Sequence, residues 1–425
     1  MARTVIKKGT WIELGCGWRA RRKARASTER EPVKTTTVSR ALAALAVLGA
    51  SVAPSLMATE ARATPKMSAA AAPQVATQLR RLLPVSAGPV DAFAFDPTNP
   101  NLVYVGTGAT NNNSRVYKSS DAGRHWQPIS PGWSWIGALV SDPRHPGTLY
   151  ASTDNGIHKT TNGGRTWHTF GQGLLPPSGV ARGEGFGNLA IDPDNSKILY
   201  SGLGLGVHQS ADGGHTWQSV AGNRRRNLVL VAATRPTTVY SVWFSPPPVT
   251  GRPPYNPVLA LGSSTNGGKT WRRTSLYAAE ARNNPFATYA FAADPGSPTT
   301  IYAVFQTRVF MSTNAGRSWR PIGKGLPRYT NAKNELTSIA AAGNGTLYVA
   351  YQGNGIYRTT DTGQTWTRVW PQPGAAPGLG ASLLGIDPAR PTTIYASTYY
   401  PNPNHATGAH LLRSTDSGTT WKTVG

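Results

Sequence analysis

The octapeptide SADGGHTW, residues 210–217, decides the fold, because six further copies of its pattern occur along the chain. The pattern is Ser/Thr-x-Asp/Asn-x-Gly-x-Ser/Thr/His-Trp, and its seven copies begin at Ser119, Thr160, Ser210, Ser264, Ser312, Thr359 and Ser414. Neighbouring copies start 41 to 55 residues apart. A repeat of this length that consists of short strands and tight turns is typical of a β-propeller.

The sequence around each copy predicts four strands. An apolar run that ends in Asp-Pro comes first, as in FAFDP (93–97) and LGIDP (384–388). The second strand carries a tyrosine at a fixed place: Tyr104, Tyr150, Tyr200, Tyr240, Tyr302, Tyr348 and Tyr395. A third strand leads into the signature, whose Trp begins the fourth, and apolar and polar residues alternate as in half-buried strands. We therefore predict an all-β fold, a single seven-bladed β-propeller with four-stranded antiparallel blades.

The signature itself is interpreted as a folding device. Its third residue can accept backbone N–H groups across the turn, and the Ser/Thr hydroxyls can join the same network. Glycine at the fifth position allows a positive φ, and the Trp supplies a large apolar group between blades. The third-position residues are therefore predicted to be structural: Asp121, Asn162, Asp212, Asn266, Asn314, Asp361 and Asp416.

These repeats resemble the Asp-boxes, or BNR repeats, of sialidases, two-propeller xyloglucanases, sortilin-type receptors and a photosystem II assembly factor. The resemblance covers roughly residues 86–425 and implies the propeller fold. It does not imply one activity, because the box lies away from the active site in the enzymes of the family. The assembly-factor branch, which has a single propeller, implies a non-catalytic role, and the enzyme branches imply glycoside hydrolysis.

The N-terminal residues 1–63 are predicted to be a leader with a signal peptide. A basic run precedes the apolar stretch 41–58, and Ala61-Arg62-Ala63 offers small residues at the cleavage positions. An uncleaved membrane anchor is the alternative. Residues 64–85 are then a linker, part of which (78–85) could instead form an extra closing strand, and the propeller domain is 86–425.

Composition agrees with export and bounds the partners. The single cysteine, Cys16, lies in the leader, so the rest of the chain is predicted to be a secreted, periplasmic or cell-surface protein without disulfides. The 43 Lys/Arg exceed the 19 Asp/Glu, which gives a formal net charge of +24 and favours an anionic partner such as a cell-surface polymer. The alternative is that the charge reflects the composition or habitat of the organism. A nucleic-acid partner rests on charge alone, and export argues against it.

Insertions are predicted to lie on one face of the propeller. The connections between strands 1 and 2 and between strands 3 and 4 hardly vary in length, whereas the other two connections take every insertion. Loops on a rigid scaffold are where recognition usually lies. Aromatic and basic residues of these loops are the predicted ligand-binding set, with packing beneath their own loops as the alternative for the aromatic ones: Trp133, Trp135, Arg182, Arg224, Arg225, Arg226, Trp243, Tyr255, Arg282, Trp370, Tyr399 and Tyr400.

The case for catalysis rests on few carboxylates. Glu184, Glu280 and Glu335 are the only glutamates after the leader, and all three lie in loops between blades. A glycosidase needs two carboxyl groups at a defined separation, so these three are the candidate catalytic residues. Asp91 and Asp154 are also predicted to lie on or near the face that carries the insertions. The segment before the first signature (78–97) has no Phe/Tyr-Arg-Ile-Pro motif of sialidases, and the chain has one propeller where the xyloglucanases have two.

The sequence therefore leaves two functions open. The first is a binding or scaffold propeller for a carbohydrate-rich, anionic or protein partner. The second is a glycoside hydrolase of sialidase or xyloglucanase type that uses carboxylates of the same face. The eight histidines lack metal-ligand spacing, so no metal and no cofactor is predicted, and a monomer is expected.

Overall fold

The computed structural model describes residues 89–108, 113–171, 174, 189–202, 206–222, 229–232, 237–244, 259–275, 289–305, 308–327, 336–371, 380–399 and 410–424. In this part of the chain the secondary structure consists of β-strands that form seven four-stranded antiparallel sheets. No helix among these residues is long and apolar enough to cross a membrane. The predicted all-β, seven-bladed propeller is confirmed.

The strands follow one another in chain order, four to a blade. Blades 1 and 2 consist of β1 (Val90–Phe95), β2 (Val103–Thr107), β3 (Val116–Ser119), β4 (Gln127–Pro128), β5 (Ile136–Ser141), β6 (Leu149–Thr153), β7 (Gly156–Thr160) and β8 (His168–Phe170). Blades 3 and 4 consist of β9 (Leu189–Asp192), β10 (Asn195–Ser201), β11 (Gly206–Ser210), β12 (Gln218–Gly222), β13 (Val229–Ala232), β14 (Thr238–Phe244), β15 (Leu259–Ser264) and β16 (Arg272–Ser275).

The remaining three blades repeat this arrangement. Blade 5 consists of β17 (Tyr289–Ala293), β18 (Ile301–Phe305), β19 (Arg308–Ser312) and β20 (Arg320–Pro321). Blade 6 consists of β21 (Leu336–Gly343), β22 (Thr346–Tyr351), β23 (Gly355–Thr359) and β24 (Thr367–Trp370). Blade 7 consists of β25 (Gly380–Ile386), β26 (Ile394–Tyr399), β27 (His410–Ser414) and β28 (Lys422–Thr423).

The first strand of each blade is the innermost. First strands contact the first strands of neighbouring blades, as β1 contacts β5 and β21 contacts β25, so they surround the propeller axis. Second strands such as β2 and β6 are buried along their whole length, and each second strand contributes its fixed tyrosine to the core. These tyrosines are at most 2% exposed: Tyr104, Tyr150, Tyr200, Tyr240, Tyr302, Tyr348 and Tyr395. A strand buried on both faces is apolar throughout, which explains runs such as VYVGT in β2.

In most blades the signature Trp is hydrogen-bonded to the blade before it. In five blades its indole Nε1 donates a hydrogen bond to a main-chain carbonyl beside or within the fourth strand of the preceding blade. The pairs are Trp126–Val424 (2.9 Å), Trp167–Ile129 (2.6 Å), Trp271–Val220 (3.3 Å), Trp366–Ile322 (3.0 Å) and Trp421–Val369 (3.1 Å). The Trp is therefore both an apolar plug and a polar link between blades.

The same contacts close the ring. Trp126 of blade 1 reaches Val424 of blade 7, and the Tyr395 hydroxyl of blade 7 donates to the Ala122 carbonyl of blade 1 at 3.1 Å. The sheet of blade 1 contains only β1–β4 and that of blade 7 only β25–β28, so among the described residues no strand is exchanged between the ends of the chain. The leader 1–63 and the segment 64–85, with its alternative closing strand, lie outside the described residues.

One sequence expectation needs correction. The fourth strand starts one residue after the signature Trp and not at it, as the pairing of Lys118 with Gln127 shows in blade 1. The physical reason is that the Trp ring turns toward the preceding blade.

Candidate functional site

The face formed by the turns between strands 1 and 2 and between strands 3 and 4 is built from satisfied backbone groups. We call it the uniform face. Asp96, at the end of the first strand, accepts hydrogen bonds from the backbone N–H of Thr98 and of Asn99, both at 3.0 Å. Equivalent carboxylates do the same in other blades: Asp142, Asp192, Asp294 and Asp387. These aspartates are committed to their own turns.

The signature turns carry the second network of this face. In blade 7 the Ser414 hydroxyl donates to Asp416 Oδ1 at 2.7 Å and accepts from the Gly418 N–H at 2.8 Å. Asp416 also accepts the Thr420 N–H at 2.8 Å. Its pKa is lowered to about 2, first by the hydrogen bond from the Thr420 hydroxyl and then by that backbone N–H. The other third-position residues occupy matching places: Asp121, Asn162, Asp212, Asn266, Asn314 and Asp361.

The two kinds of turn are also joined to each other. The fourth signature residue donates its N–H to a carbonyl of the strand 1–2 turn in the same blade, as Ala122 does to Asn101 at 2.9 Å and Ser417 to Thr392 at 2.9 Å. Four further blades make this bond. Both connections therefore lie on one face, as the sequence predicted, and the carboxylates there are used by the fold.

The opposite face is formed by the connections between strands 2 and 3 and between successive blades. These connections carry the insertions, and we call this the variable face. Trp133 lies there between blades 1 and 2. It is 6% exposed, exchanges backbone hydrogen bonds with Ser114 (2.8 and 2.9 Å) and stacks on the His158 ring with 4.6 Å between ring centroids. Its ring is thus largely covered by protein, whereas Trp135, two residues later, is partly exposed.

The other predicted ligand-binding residues fall into two groups. Trp370 ends β24 and is 8% exposed, packed in a core cluster with Ile356. Trp243 lies near the variable-face end of β14, opposite Ala260, and Tyr399 ends β26, opposite Gly380. The remaining predicted residues lie outside the described part of the chain: Arg182, Arg224, Arg225, Arg226, Tyr255, Arg282 and Tyr400. The candidate catalytic residues Glu184, Glu280 and Glu335 lie outside it as well.

Asp91 is the most unusual carboxylate of the described residues. It is 4% exposed, and its Oδ1 atom has no hydrogen-bond partner. It is the extra residue of a β-bulge, because Val90 pairs with Thr107 and Ala92 with Gly106. A Cβ at Gly108 would lie 1.9 Å from Asp91 Oδ2, so only glycine leaves room for the carboxyl group. Burial raises the pKa of Asp91 well above its usual range.

A second carboxylate, Asp154, lies in the turn between β6 and β7 on the variable face. The side chain is partly exposed, and its Oδ1 atom is buried without a hydrogen-bond partner. The nearby His158 is buried, and desolvation lowers its pKa even though the charge of Asp154 acts in the other direction. The sequence predicts only that both residues lie on or near the variable face. It does not reveal that Asp91 is buried, nor that the Oδ1 atom of Asp154 has no hydrogen-bond partner.

Among the described residues, no group of three or more His, Cys, Asp or Glu side chains is placed so that it could bind a metal ion. Arg115, a basic residue of the variable face, is held by Asn113 Oδ1 at 2.9 Å and by the Ser130 carbonyl at 3.0 Å. The described part of the candidate site on the variable face therefore consists of the carboxylates of Asp91 and Asp154, the hydrogen-bonded Arg115 and the partly exposed indole of Trp135.

Comparison with known proteins gives relatives for parts of the chain. No family model matches it. It is 29% identical over 190 residues to a probable oligoxyloglucan-reducing end-specific xyloglucanase of Neosartorya fischeri, an alignment that covers 43% of this chain and 21% of that protein. It is 28% identical over 172 residues to the xyloglucanase Xgh74A of Acetivibrio thermocellus, covering 33% and 20%. The chain thus spans about a fifth of the length of these curated relatives.

Solved structures with the same fold include a GH74 xyloglucanase and YCF48. The GH74 xyloglucanase from Xanthomonas campestris superposes with a TM-score of 0.52 at 17% identity, covering 81% of this chain and 63% of that one. YCF48 from Cyanidioschyzon merolae gives 0.54 at 12% identity, covering 79% and 97%. A structure of YCF48 bound to D1 peptide gives 0.52 at 12% identity, covering 78% and 95%. At these identities the likeness concerns the propeller fold.

Proposed function

We propose that this protein is an exported Asp-box β-propeller that binds a carbohydrate through its variable face. The observation that carries the proposal is the contrast between the two faces. Carboxylates, hydroxyls and backbone groups of the uniform face are engaged in repeated turn networks, while the insertions and two buried carboxylate oxygens without a hydrogen-bond partner, those of Asp91 and Asp154, belong to the other face. The curated relatives are xyloglucanases, which favours a β-glucan or xyloglucan chain over a protein ligand.

The proposed contacts are aromatic and basic. Among the predicted ligand-binding aromatic residues whose side chains are described, Trp135 is partly exposed. We therefore propose its indole ring as the platform on which a sugar ring stacks. The loop residues Arg224, Arg225, Arg226, Tyr255 and Tyr400 complete the proposed surface. Trp133 and Trp370 are left to packing, because their rings are covered. The leader 1–63 is proposed to export the chain to the cell surface or beyond.

Replacement of Arg224, Arg225 and Arg226 by Ser tests where the ligand binds. We expect the triple variant to lose affinity for xyloglucan oligosaccharides by about tenfold, since truncating an arginine that hydrogen-bonds a ligand costs on the order of 1–3 kcal/mol. Isothermal titration calorimetry measures the affinity. The matched control replaces Arg124, Arg165 and Arg368, which are exposed in signature turns or a fourth strand. Equal affinity of both variants and of the wild type would contradict this placement of the site.

Glycoside hydrolysis is the second candidate, and the xyloglucanase relatives favour it. Its candidate groups are Glu184, Glu280 and Glu335, together with Asp154, a partly exposed residue of the variable face whose Oδ1 atom has no hydrogen-bond partner. A hydrolase of this kind needs one carboxyl group as acid and a second as base or nucleophile.

Product analysis by mass spectrometry separates binding from hydrolysis. Residues 64–425 are incubated with xyloglucan, other β-glucans and sialosides. For a binding propeller we expect bound but unshortened chains. Released sugars that disappear in one of the variants Asp154→Asn, Glu184→Gln, Glu280→Gln or Glu335→Gln, with the melting temperature unchanged, would instead establish a hydrolase. Absence of both binding and release across the panel would contradict the carbohydrate proposal.

A further inference from the structure

The charges of the described residues are unevenly distributed among the blades. Blades 4 and 5 carry seven basic side chains: Lys269, Arg272, Arg273, Arg308, Arg317, Arg320 and Lys324. All seven are exposed. The described residues of the same two blades contain one acidic group, Asp294, which is buried. It accepts a hydrogen bond from the Tyr302 hydroxyl at 2.9 Å and from the Gly296 N–H at 2.9 Å.

The signature turns explain part of this imbalance. Blades 4 and 5 have Asn266 and Asn314 at the third signature position, where four other blades have aspartate. The asparagines keep the turn, because their Oδ1 atoms accept the N–H of Thr270 and of Ser318, each at 2.9 Å. Their Nδ2 atoms donate to the hydroxyls of the same two residues at 2.8 Å. The signature turns of blades 4 and 5 thus keep their hydrogen bonds without a carboxylate.

Four of these cations define a surface, which we call the basic rim: Lys269, Arg272, Arg317 and Arg320. Lys269 and Arg317 are the sixth residues of their signatures, and Arg272 and Arg320 begin the outermost strands β16 and β20. The two blades are neighbours, since Gly316 of blade 5 packs against Leu261 and Tyr240 of blade 4. The same structural positions in adjacent blades therefore carry positive charge along the outer edge, away from the variable face.

Several basic residues of the other blades make contacts within the fold, although Arg124, Arg165, Arg368 and Lys422 are exposed in turns and outer strands. Lys159 donates to the Gly213 carbonyl at 3.2 Å, and Arg358 donates to the Ser417 carbonyl at 2.8 Å, so both serve contacts between blades. Arg390 is paired with Asp387 at 2.9 Å. In blades 4 and 5 the four rim cations are exposed in signature turns and outer strands. Within the described residues of these blades the one carboxylate, that of Asp294, is buried, and a cluster of exposed like charges concentrates anions and repels cations.

We propose that the basic rim of blades 4 and 5 is a second binding surface, for an acidic polysaccharide. A linear chain with a carboxylate on each sugar matches a row of cations on successive blades, and guanidinium groups bind carboxylates through two parallel hydrogen bonds. Because the rim lies on the outer edge, a chain bound there leaves the variable face open. This inference does not depend on the ligand of the variable face.

Polygalacturonate binding tests the proposal. The rim variant replaces Lys269, Arg272, Arg317 and Arg320 by Ser. The control variant replaces Arg124, Arg165, Arg368 and Lys422 by Ser, which removes four exposed charges from equivalent turns and outer strands of blades 1, 2, 6 and 7. Both variants have the same net charge. We expect the rim variant to bind polygalacturonate about tenfold more weakly at low salt and with a flatter salt dependence, because fewer counterions are released. The control is expected to bind like the wild type.

Four results would overturn the proposal. Equal losses in the rim and control variants would show that net charge alone attracts the polymer. Unchanged binding by the rim variant, with the wild type bound, would place the polymer elsewhere, and a wild type that does not bind polygalacturonate would remove the ligand class. Tighter rim-dependent binding of single-stranded DNA than of polygalacturonate would assign the surface to a nucleic acid. Melting temperatures of all variants are measured alongside, and neutral xyloglucan binding reports the variable face separately.

Discussion

At the scale of single residues, the signature contains one feature that its sequence does not reveal. The fourth and fifth signature positions have positive φ, and the fourth is not glycine in four blades: Ala122 (59°), Ala315 (56°), Thr362 (60°) and Ser417 (60°). Only the fifth position is invariably glycine. The bond from the fourth N–H to the neighbouring turn holds this conformation, which costs a residue with a Cβ roughly 1–2 kcal/mol.

Asp91 gives the prediction at this scale. Its folded-state pKa is raised by burial, so its ionisation is coupled to a loss of stability as the pH rises from the unfolded value of about 4 through the folded one. We expect Asp91→Asn to be more stable than the wild type at pH 7, by on the order of 1–3 kcal/mol, because it removes an unpaired buried charge. Near pH 4 the difference should shrink toward zero.

Urea unfolding at pH 4, 5.5 and 7 measures this difference. Asp96→Asn is the contrasting variant, because Asp96 uses its charge to accept hydrogen bonds from Thr98 and Asn99. We expect it to lose stability at pH 7. A wild type more stable than Asp91→Asn at pH 7 would show that the carboxylate of Asp91 has a stabilising partner.

At the scale of elements, the outer strands are short, and blades are joined by side chains. Strands β4, β20 and β28 have two residues each, too few to hold a blade edge by main-chain pairing alone. The signature Trp compensates by reaching the preceding blade in five of the seven cases. Trp319 of blade 5 differs, because its buried Nε1 has no hydrogen-bond partner.

This difference provides a matched pair of variants. Trp126→Phe removes the hydrogen bond to the Val424 carbonyl that links blade 1 to blade 7, whereas Trp319→Phe removes a donor that is already unpaired. Both changes remove a similar volume of ring. We expect Trp126→Phe to lose about 1 kcal/mol more stability than Trp319→Phe, because the freed carbonyl is left without its donor. Equal losses in guanidinium unfolding would show that the indole acts by packing alone.

At the scale of the whole molecule, the pH response of the fold combines two kinds of group. His158 and His208, at the same place in the third strands of blades 2 and 3, are largely buried, and desolvation lowers the pKa of both. Hydrogen bonds from their turns lower the pKa of Asp212, despite the opposing effect of desolvation, and of Asp361, each to about 2. A group of either kind binds fewer protons in the folded state than in the unfolded state.

The propeller should therefore lose stability in two steps as the pH falls. The first step begins below about pH 6.5, where unfolded histidine takes up a proton, and the second below about pH 4, where unfolded aspartate does. We expect the double variant His158→Gln, His208→Gln to abolish the first step and leave the second. Melting temperatures between pH 8 and pH 2 measure both, and a first step that persists in the variant would assign it to other groups.

The sequence alone determined the propeller and the identity of its uniform face. The seven repeats are recognised from their signatures, their Asp-Pro turns and their tyrosines. The hydrogen bonds of these turns join residues that are close together in the chain, so the local sequence encodes them. The tertiary structure decided what depends on distant residues. It buried the ring of Trp133, left the buried Oδ1 atom of Asp91 without a hydrogen-bond partner and placed exposed cations on two adjacent blades. Burial, pairing and surface charge arise when segments far apart in the chain meet, so spacing within one segment does not contain them.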